Sequence, residues 1–258
     1  MKFGVCMDAY QAITCCPGEA DYIEVAGKNL WAMEPAEFEQ VRGAVKDGVF
    51  CAYSCNQLID KAYRLTGPDV DLAAIGTYCD KLFARLAEIG VKILVFGSGK
   101  AKHVPDGFPM DKAWEQLFAL GHLLADKAAP YGQTVVVEPL SYAEVNIVNT
   151  LDDGAYYVKT VNRDNFKLLA DFYHMDANGE FLAALEPHGE ILKHIHFATQ
   201  GLRSIPRTET EWSFFEKCLA KLKEIGYDGA ITFEGKNFET KELGETLSKM
   251  KKLDAAMA

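Results

Sequence analysis

No apolar run in this chain approaches the roughly 18–20 residues that a helix needs to cross a bilayer. Its opening, MKFGVCMDAY, is too short in apolar residues and too poor in charge for a signal peptide, so a soluble cytoplasmic protein is expected. Positive charge is scarce: Lys and Arg number 27 against 37 Asp and Glu, a formal net charge of −10. That balance repels phosphate backbones and anionic lipid, so neither nucleic acid nor a membrane is an expected partner. No Gly-x-Gly-x-x-Gly follows the first apolar run, which removes the usual dinucleotide cradle. Paired C-x-x-C motifs are also missing. The seven cysteines, at positions 6, 15, 16, 51, 55, 79 and 218, are odd in number and read as small apolar residues of a reducing compartment. Cys15 and Cys55 are the candidates among them for lining a pocket.

What is present is a rhythm. Short β-branched or aromatic runs alternate with longer amphipathic segments from end to end of the 258 residues. The strands are predicted at Lys2–Met7, Asp21–Val25, Val49–Ser54, Lys92–Phe96, Thr134–Glu138, Lys167–Asp171, Lys193–Phe197 and Ala230–Glu234. Helical periodicity is clear over Leu72–Ile89, Trp114–Ala129 and Trp212–Ile225. Thr150 with Asp153 forms a capping-box pattern, and Gly90, Gly132 and Gly226 each stand where a helix must end in a left-handed residue. Apolar runs of four to six residues suit strands buried on both faces. Eight such strands with intervening helices predict an α/β fold, a (β/α)8 TIM barrel, with residues 1–258 as one domain. An open doubly wound sheet is the alternative.

Metal-competent side chains fall at the ends of the later predicted strands. Val135-Val136-Val137 ends in Glu138, Leu168-Leu169-Ala170 ends in Asp171 with His174 three further on, the seventh strand ends at His196, and Ile231-Thr232-Phe233 ends in Glu234. In a barrel these ends share one mouth, where active sites lie. A cluster of carboxylates there would repel itself, so one divalent cation is expected. Three carboxylates and an imidazole suit Mn²⁺ first, then Mg²⁺ or Co²⁺, with Zn²⁺ also compatible. His194 and His196 are expected on opposite sides of their strand, His196 at the mouth and His194 behind the barrel. Glu24, ending the second strand, is either part of the site or structural. The turn Gly97-Ser98-Gly99, followed by Lys100, Lys102 and His103, is a candidate cradle for a phosphate or carboxylate.

The stretches Val-Glu138-Pro139-Leu140 with Glu144, Asn146 and Asn149-Thr150, then Ala-Asp171-Phe-Tyr-His174-Met, then His194-Ile-His196 followed by Arg203, then Thr-Phe-Glu234-Gly, together resemble the xylose isomerase-like TIM-barrel superfamily. Within it they are most similar to the D-tagatose and D-psicose 3-epimerase branch. The resemblance implies a metal-dependent sugar isomerase or epimerase. It implies Glu138, Asp171, His196 and Glu234 as metal ligands, Glu138 and Glu234 as the paired acid/base groups, and Glu144, His174 and Arg203 as substrate-binding residues. The implied partner is a small sugar or sugar derivative, and a homo-oligomer is a family-level expectation. The branch places its substrate-binding Arg one residue closer to the metal-binding His than Arg203 stands here, which leaves Arg207 as a competitor.

Other readings stay open on the same residues. Elimination on an oxidised sugar or inosose, including C-glycoside cleavage, begins with the same proton abstraction, and Tyr53, Phe108 and Trp31 could admit an aromatic aglycone. A non-catalytic sugar-binding barrel would have no need of two opposed carboxylates. Apurinic endonucleases of the superfamily bind three metals through additional histidines. This chain has no His before His103 and no Asp-x-His after His196, which disfavours that activity.

Overall fold

The computed structural model describes residues 1–257. Eight strands alternate with helices in the order β1 (Lys2–Cys6), α1 (Ala9–Cys15), β2 (Tyr22–Ala26), α2 (Gly27–Ala32), α3 (Pro35–Lys46), β3 (Ala52–Asn56), α4 (Leu72–Glu88), β4 (Ile93–Phe96) and α5 (Gly99–Lys102). They continue as α6 (Met110–Ala128), β5 (Thr134–Val137), α7 (Leu151–Val161), β6 (Phe166–Asp171), α8 (Phe172–Ala177), β7 (Leu192–Phe197), α9 (Glu209–Glu224), β8 (Ala230–Phe233) and α10 (Thr240–Ala256). The strands close into a parallel barrel in sequence order. β1 pairs with β8 at Gly4↔Thr232 and Val5↔Phe233 to complete it.

Local chemistry explains the elements. Val135, Val136 and Val137, like Leu168, Leu169 and Ala170, are fully buried because their strands have helices on one side and the barrel interior on the other. α4 turns Ile75, Cys79, Leu82 and Leu86 toward the barrel and leaves Asp80 and Lys81 in solvent. The box at α7 forms: Thr150 Oγ1 accepts from the Asp153 amide at 3.1 Å, and Asp153 Oδ2 accepts from the Thr150 amide at 3.1 Å. Gly90, Gly132 and Gly226 all take positive φ, at 87°, 62° and 74°.

Most predicted boundaries move by at most one residue, and three elements move by more. β3 begins at Ala52 and runs to Asn56, because Val49 is largely exposed and a bulge between Ile23 and Glu24 shifts the pairing to Glu24↔Ser54. That shift carries Asn56 to the mouth. α6 starts four residues before Trp114, and α9 starts at Glu209, where Thr208 and Glu211 make a capping box. No described helix is long and apolar enough to cross a membrane.

The barrel interior is divided. Ile93, Val95, Val136 and Leu169, on β4 to β6, form a small apolar cluster with Tyr53 against it. Across from them lies a polar group drawn from β2, β3, β7 and β8, described below. Gly4 makes room for it: a Cβ there would stand 2.3 Å from the Tyr22 ring, so only glycine lets that ring lie inside the barrel.

Candidate active site

Four strands deliver one cluster. Glu138 is the first residue beyond β5, Asp171 the last of β6, His196 the fifth of β7, and Glu234 the first beyond β8. One donor atom from each lies within 4.8 Å of the others. His196 Nδ1 is 3.0 Å from Glu138 Oε1 and 3.3 Å from Glu234 Oε2. Two ligands held about 2.1 Å from one small divalent ion sit about 3–4.2 Å apart, so the donor set fits such an ion. Asp171 is fixed from behind, its Oδ1 accepting from the Tyr173 amide at 2.8 Å as the cap of α8.

The magnitudes favour a cation. Two full charges about 4 Å apart repel by about 4 kcal/mol at an effective dielectric of about 20. A whole domain is stable by only about 5–15 kcal/mol. Three close carboxylates therefore need positive charge beside them. Burial pushes Asp171 up, with His174 and His196 only partly offsetting it. Burial opposes ionisation of Glu234 as well, but His196 and Arg203 outweigh it and hold this carboxyl below its usual range. Burial disfavours a charged His196 too, yet Glu24, Glu234 and Glu138 raise its pKa well above the ordinary value.

Beneath the cluster the structure corrects the expectation for His194. Residues two apart on a strand face the same side, so His194 and His196 both point into the barrel, ring centroids 5.3 Å apart. Both meet Glu24, which is fully buried. Glu24 Oε2 is 2.8 Å from His194 Nε2 and accepts from Ser54 Oγ at 2.6 Å and Thr232 Oγ1 at 2.9 Å. Glu24 Oε1 lies 2.8 Å from His196 Nε2. Glu24, His194 and His196 are themselves spaced like metal ligands. His196 and His194 together hold the Glu24 carboxyl well below its usual range despite its burial.

The expected substrate-binding residues converge on the same mouth. Arg203 Nη2 donates to Glu234 Oε2 at 2.6 Å and lies 3.5 Å from Asp171 Oδ2 and from His174 Nε2, while Nη1 is 3.5 Å from Glu144 Oε1. The Ser141 amide donates to His174 Nδ1 at 3.2 Å, which puts the proton of a neutral His174 on Nε2, facing Asp171 and Arg203. Arg207 is elsewhere, paired with Glu242 at 2.6 Å on the surface.

Two adjoining cavities of about 420 and 640 Å³ share Asn56, Arg203 and Glu234. Lys28, Lys61, Lys100 and Lys236 stand around the larger one. A third groove of about 820 Å³, between Cys16 and Lys252, lies away from the cluster.

Residues that the sequence did not single out complete the wall. Asn56 donates to Glu234 Oε1 at 3.0 Å and lies 3.2 Å from Cys6 Sγ. Cys6 lines the mouth; Cys15 and Cys55 do not, and all seven cysteines are free. Of the basic stretch after β4 only Lys100 faces the cavity. Lys102 is buried, its ammonium donating to the Glu138 carbonyl at 3.1 Å, and burial pushes its pKa down to about 8 against the pull of Glu138, Glu144 and Asp153. Gly97 serves close approach, since a Cβ there would meet Glu138 Oε2 at 2.1 Å. Trp31 stacks on Tyr78 and Tyr53 packs on Tyr22, and neither of them nor Phe108 lines the cavities.

Residues 18–253 match the family described as xylose isomerase-like TIM barrel. This chain belongs to that family. It is 26% identical over 221 residues to D-psicose 3-epimerase of Agrobacterium fabrum, covering 83% of this chain and 74% of that protein. It is 34% identical over 113 residues to L-ribulose 3-epimerase of Methylomonas sp., 43% of this chain and 38% of that one. Among solved structures, the apo 3-keto-D-glucoside 4-epimerase of E. coli superimposes with a TM-score of 0.78 at 20% identity, over 99% of each chain. D-allulose 3-epimerase of Methylomonas sp. gives 0.79 at 22% identity, over 100% of this chain and 98% of that one. At such identities these superpositions speak for the fold.

Proposed function

We propose that this chain is a divalent-metal-dependent sugar epimerase of the ketose 3-epimerase kind, which inverts a carbon next to a carbonyl. The observation that carries this reading is the pair Glu138 and Glu234, reaching one point of the mouth from strands on either side of Asp171 and His196. Its relatives' names make it an enzyme of the epimerase type.

Glu138, Asp171, His196 and Glu234 hold the ion, with Mn²⁺ the first choice for an oxygen-rich set with one imidazole. When bound, the ion polarises a carbonyl and stabilises negative charge growing on the substrate oxygens. Glu138 and Glu234 take and return the proton on opposite faces, exchanging roles as base and acid, so that the reaction runs both ways. Arg203, His174 and Glu144 bind the remaining hydroxyls, and Asn56 orients Glu234 through the bond to Oε1. The rim lysines suit a substrate rich in oxygens. The seven free cysteines fit a reducing cytoplasm.

The test is proton exchange in D₂O, followed by NMR, with protein stripped by chelator and reloaded with Mn²⁺. D-Psicose, D-fructose and L-ribulose are the first ketoses to try. Deuterium at C3 together with the epimer is expected, and Glu138→Gln and Glu234→Gln should each slow exchange by about 10²–10⁴-fold. Exchange accompanied by loss of a substituent would assign elimination instead. Exchange unaffected by stripping the metal would refute the metal-dependent mechanism.

A further inference from the structure

We infer that Glu24 is the positioning residue of the metal centre: as the buried ion-pair partner of His196 Nε2 it keeps the ring's proton on that nitrogen and so leaves Nδ1 to the ion. The inference rests on the metal-dependent reading above and concerns a residue that is not itself in the four-ligand set.

The geometry supports it from both sides of the ring. Nδ1 of His196 is 3.0 Å from Glu138 Oε1 and 3.3 Å from Glu234 Oε2, and Nε2 is 2.8 Å from Glu24 Oε1, an ion-pair contact in which the N–H does not point at that oxygen as a hydrogen bond requires. A buried carboxylate beside Nε2 favours the form with its proton on Nε2, which leaves the lone pair on Nδ1, the form a metal requires. Glu24 can do this because its other oxygen is anchored. Oε2 accepts from Ser54 Oγ and Thr232 Oγ1, and stands 2.8 Å from His194 Nε2. Tyr22 Oη and Thr232 Oγ1 are 2.8 Å apart, extending the chain of bonds to β2. His194 Nδ1 has no partner, which a bare lone pair tolerates better than an N–H, so His194 is the Nε2–H donor to this carboxylate.

The trio Glu24, His194 and His196 also has metal-like spacing. Its accepting oxygen is already filled by three donors, and all three residues are sealed from solvent. The geometry therefore points to a brace under a single ion. It also explains why the interior of this barrel is polar on one side: the bonds around Glu24 replace apolar packing so that one carboxylate is fixed beside His196.

The experiment measures metal affinity and tautomer, with no substrate present. Chelator-stripped wild type and Glu24→Gln are titrated with Zn²⁺ against a chromophoric chelator, and ¹⁵N-labelled wild type is examined by NMR with Zn²⁺ bound. One Zn²⁺ per wild-type chain is expected, with affinity lower by about 10–100-fold in Glu24→Gln. His196 should carry its proton on Nε2. Equal affinity in the variant, a proton on Nδ1 of His196, or two tight ions per chain would each overturn the inference while leaving the epimerase reading standing. A wild type that binds no metal would sink both. Should Glu24→Gln fail to fold, the wild-type tautomer and stoichiometry decide the matter alone.

Discussion

At the scale of single residues, the two arginines of the loop after β7 show how little separates a site residue from a surface one. Arg203 and Arg207 lie four apart, and spacing from His196 alone does not choose between them. Arg203 adopts a φ of 48°, a left-handed conformation that costs a non-glycine residue on the order of 1–3 kcal/mol. Its carbonyl accepts from the Lys236 amide at 2.7 Å, and its guanidinium lies 4.5 Å from the centre of the Tyr173 ring. These contacts hold the strained turn and aim the side chain at Glu234. Arg203→Ala should cut kcat/KM by about 10²-fold, as loss of a charge-assisted contact of about 3 kcal/mol would. Arg207→Ala should stay within a few-fold of wild type in the same steady-state assay. The reverse ranking would move the substrate-binding role to Arg207.

At the scale of elements, the ends of strands carry the chemistry and the caps of helices carry stability. The contrast can be measured. Thr150→Ala removes the side-chain half of the box at α7 and should lower stability by about 1 kcal/mol in urea unfolding, with metal binding unchanged. Gly97→Ala should do the opposite, because its Cβ would drive the Glu138 carboxylate out of the cluster. Metal affinity should fall at least tenfold while the urea midpoint moves little. The strand ends at Glu138 and Asp171 were legible because each follows an unbroken apolar run that only a buried strand explains, and those at His196 and Glu234 because each closes a short strand-like stretch in the same alternation with helices. The end of β3 was not legible. Val49 and Phe50 extend the apolar run toward the wrong end, and the bulge opposite Glu24 that resets the register is a property of the pairing. Asn56 was therefore missed.

At the scale of the whole molecule, a barrel that gathers carboxylates from three strands would tie its stability to an ion bound among them. Bringing Glu138, Asp171 and Glu234 together costs repulsion that exists only in the folded state. Anything that neutralises it there stabilises the fold by mass action. Mn²⁺ at about 100 times its dissociation constant should add about 2.7 kcal/mol, seen as a rise in Tm that chelator reverses. Replacing Asp171 by Asn should shrink that rise and leave the stripped protein at least as stable as stripped wild type. A Tm indifferent to metal would contradict the site as drawn here.

The sequence by itself determined the alternation of strands and helices, the acidic balance of the chain, and which later strand ends carry metal-competent side chains. These follow from periodicity and from the residue types next to each apolar run, which are local properties. Only the tertiary structure decided that Glu24 lies under His196, that Cys6 rather than Cys15 or Cys55 lines the mouth, and that Arg203 rather than Arg207 faces Glu234. Each of those depends on closing the sheet, which brings β2 against β7 across the barrel interior. Residues 170 positions apart in the chain then share a hydrogen bond that no local pattern encodes.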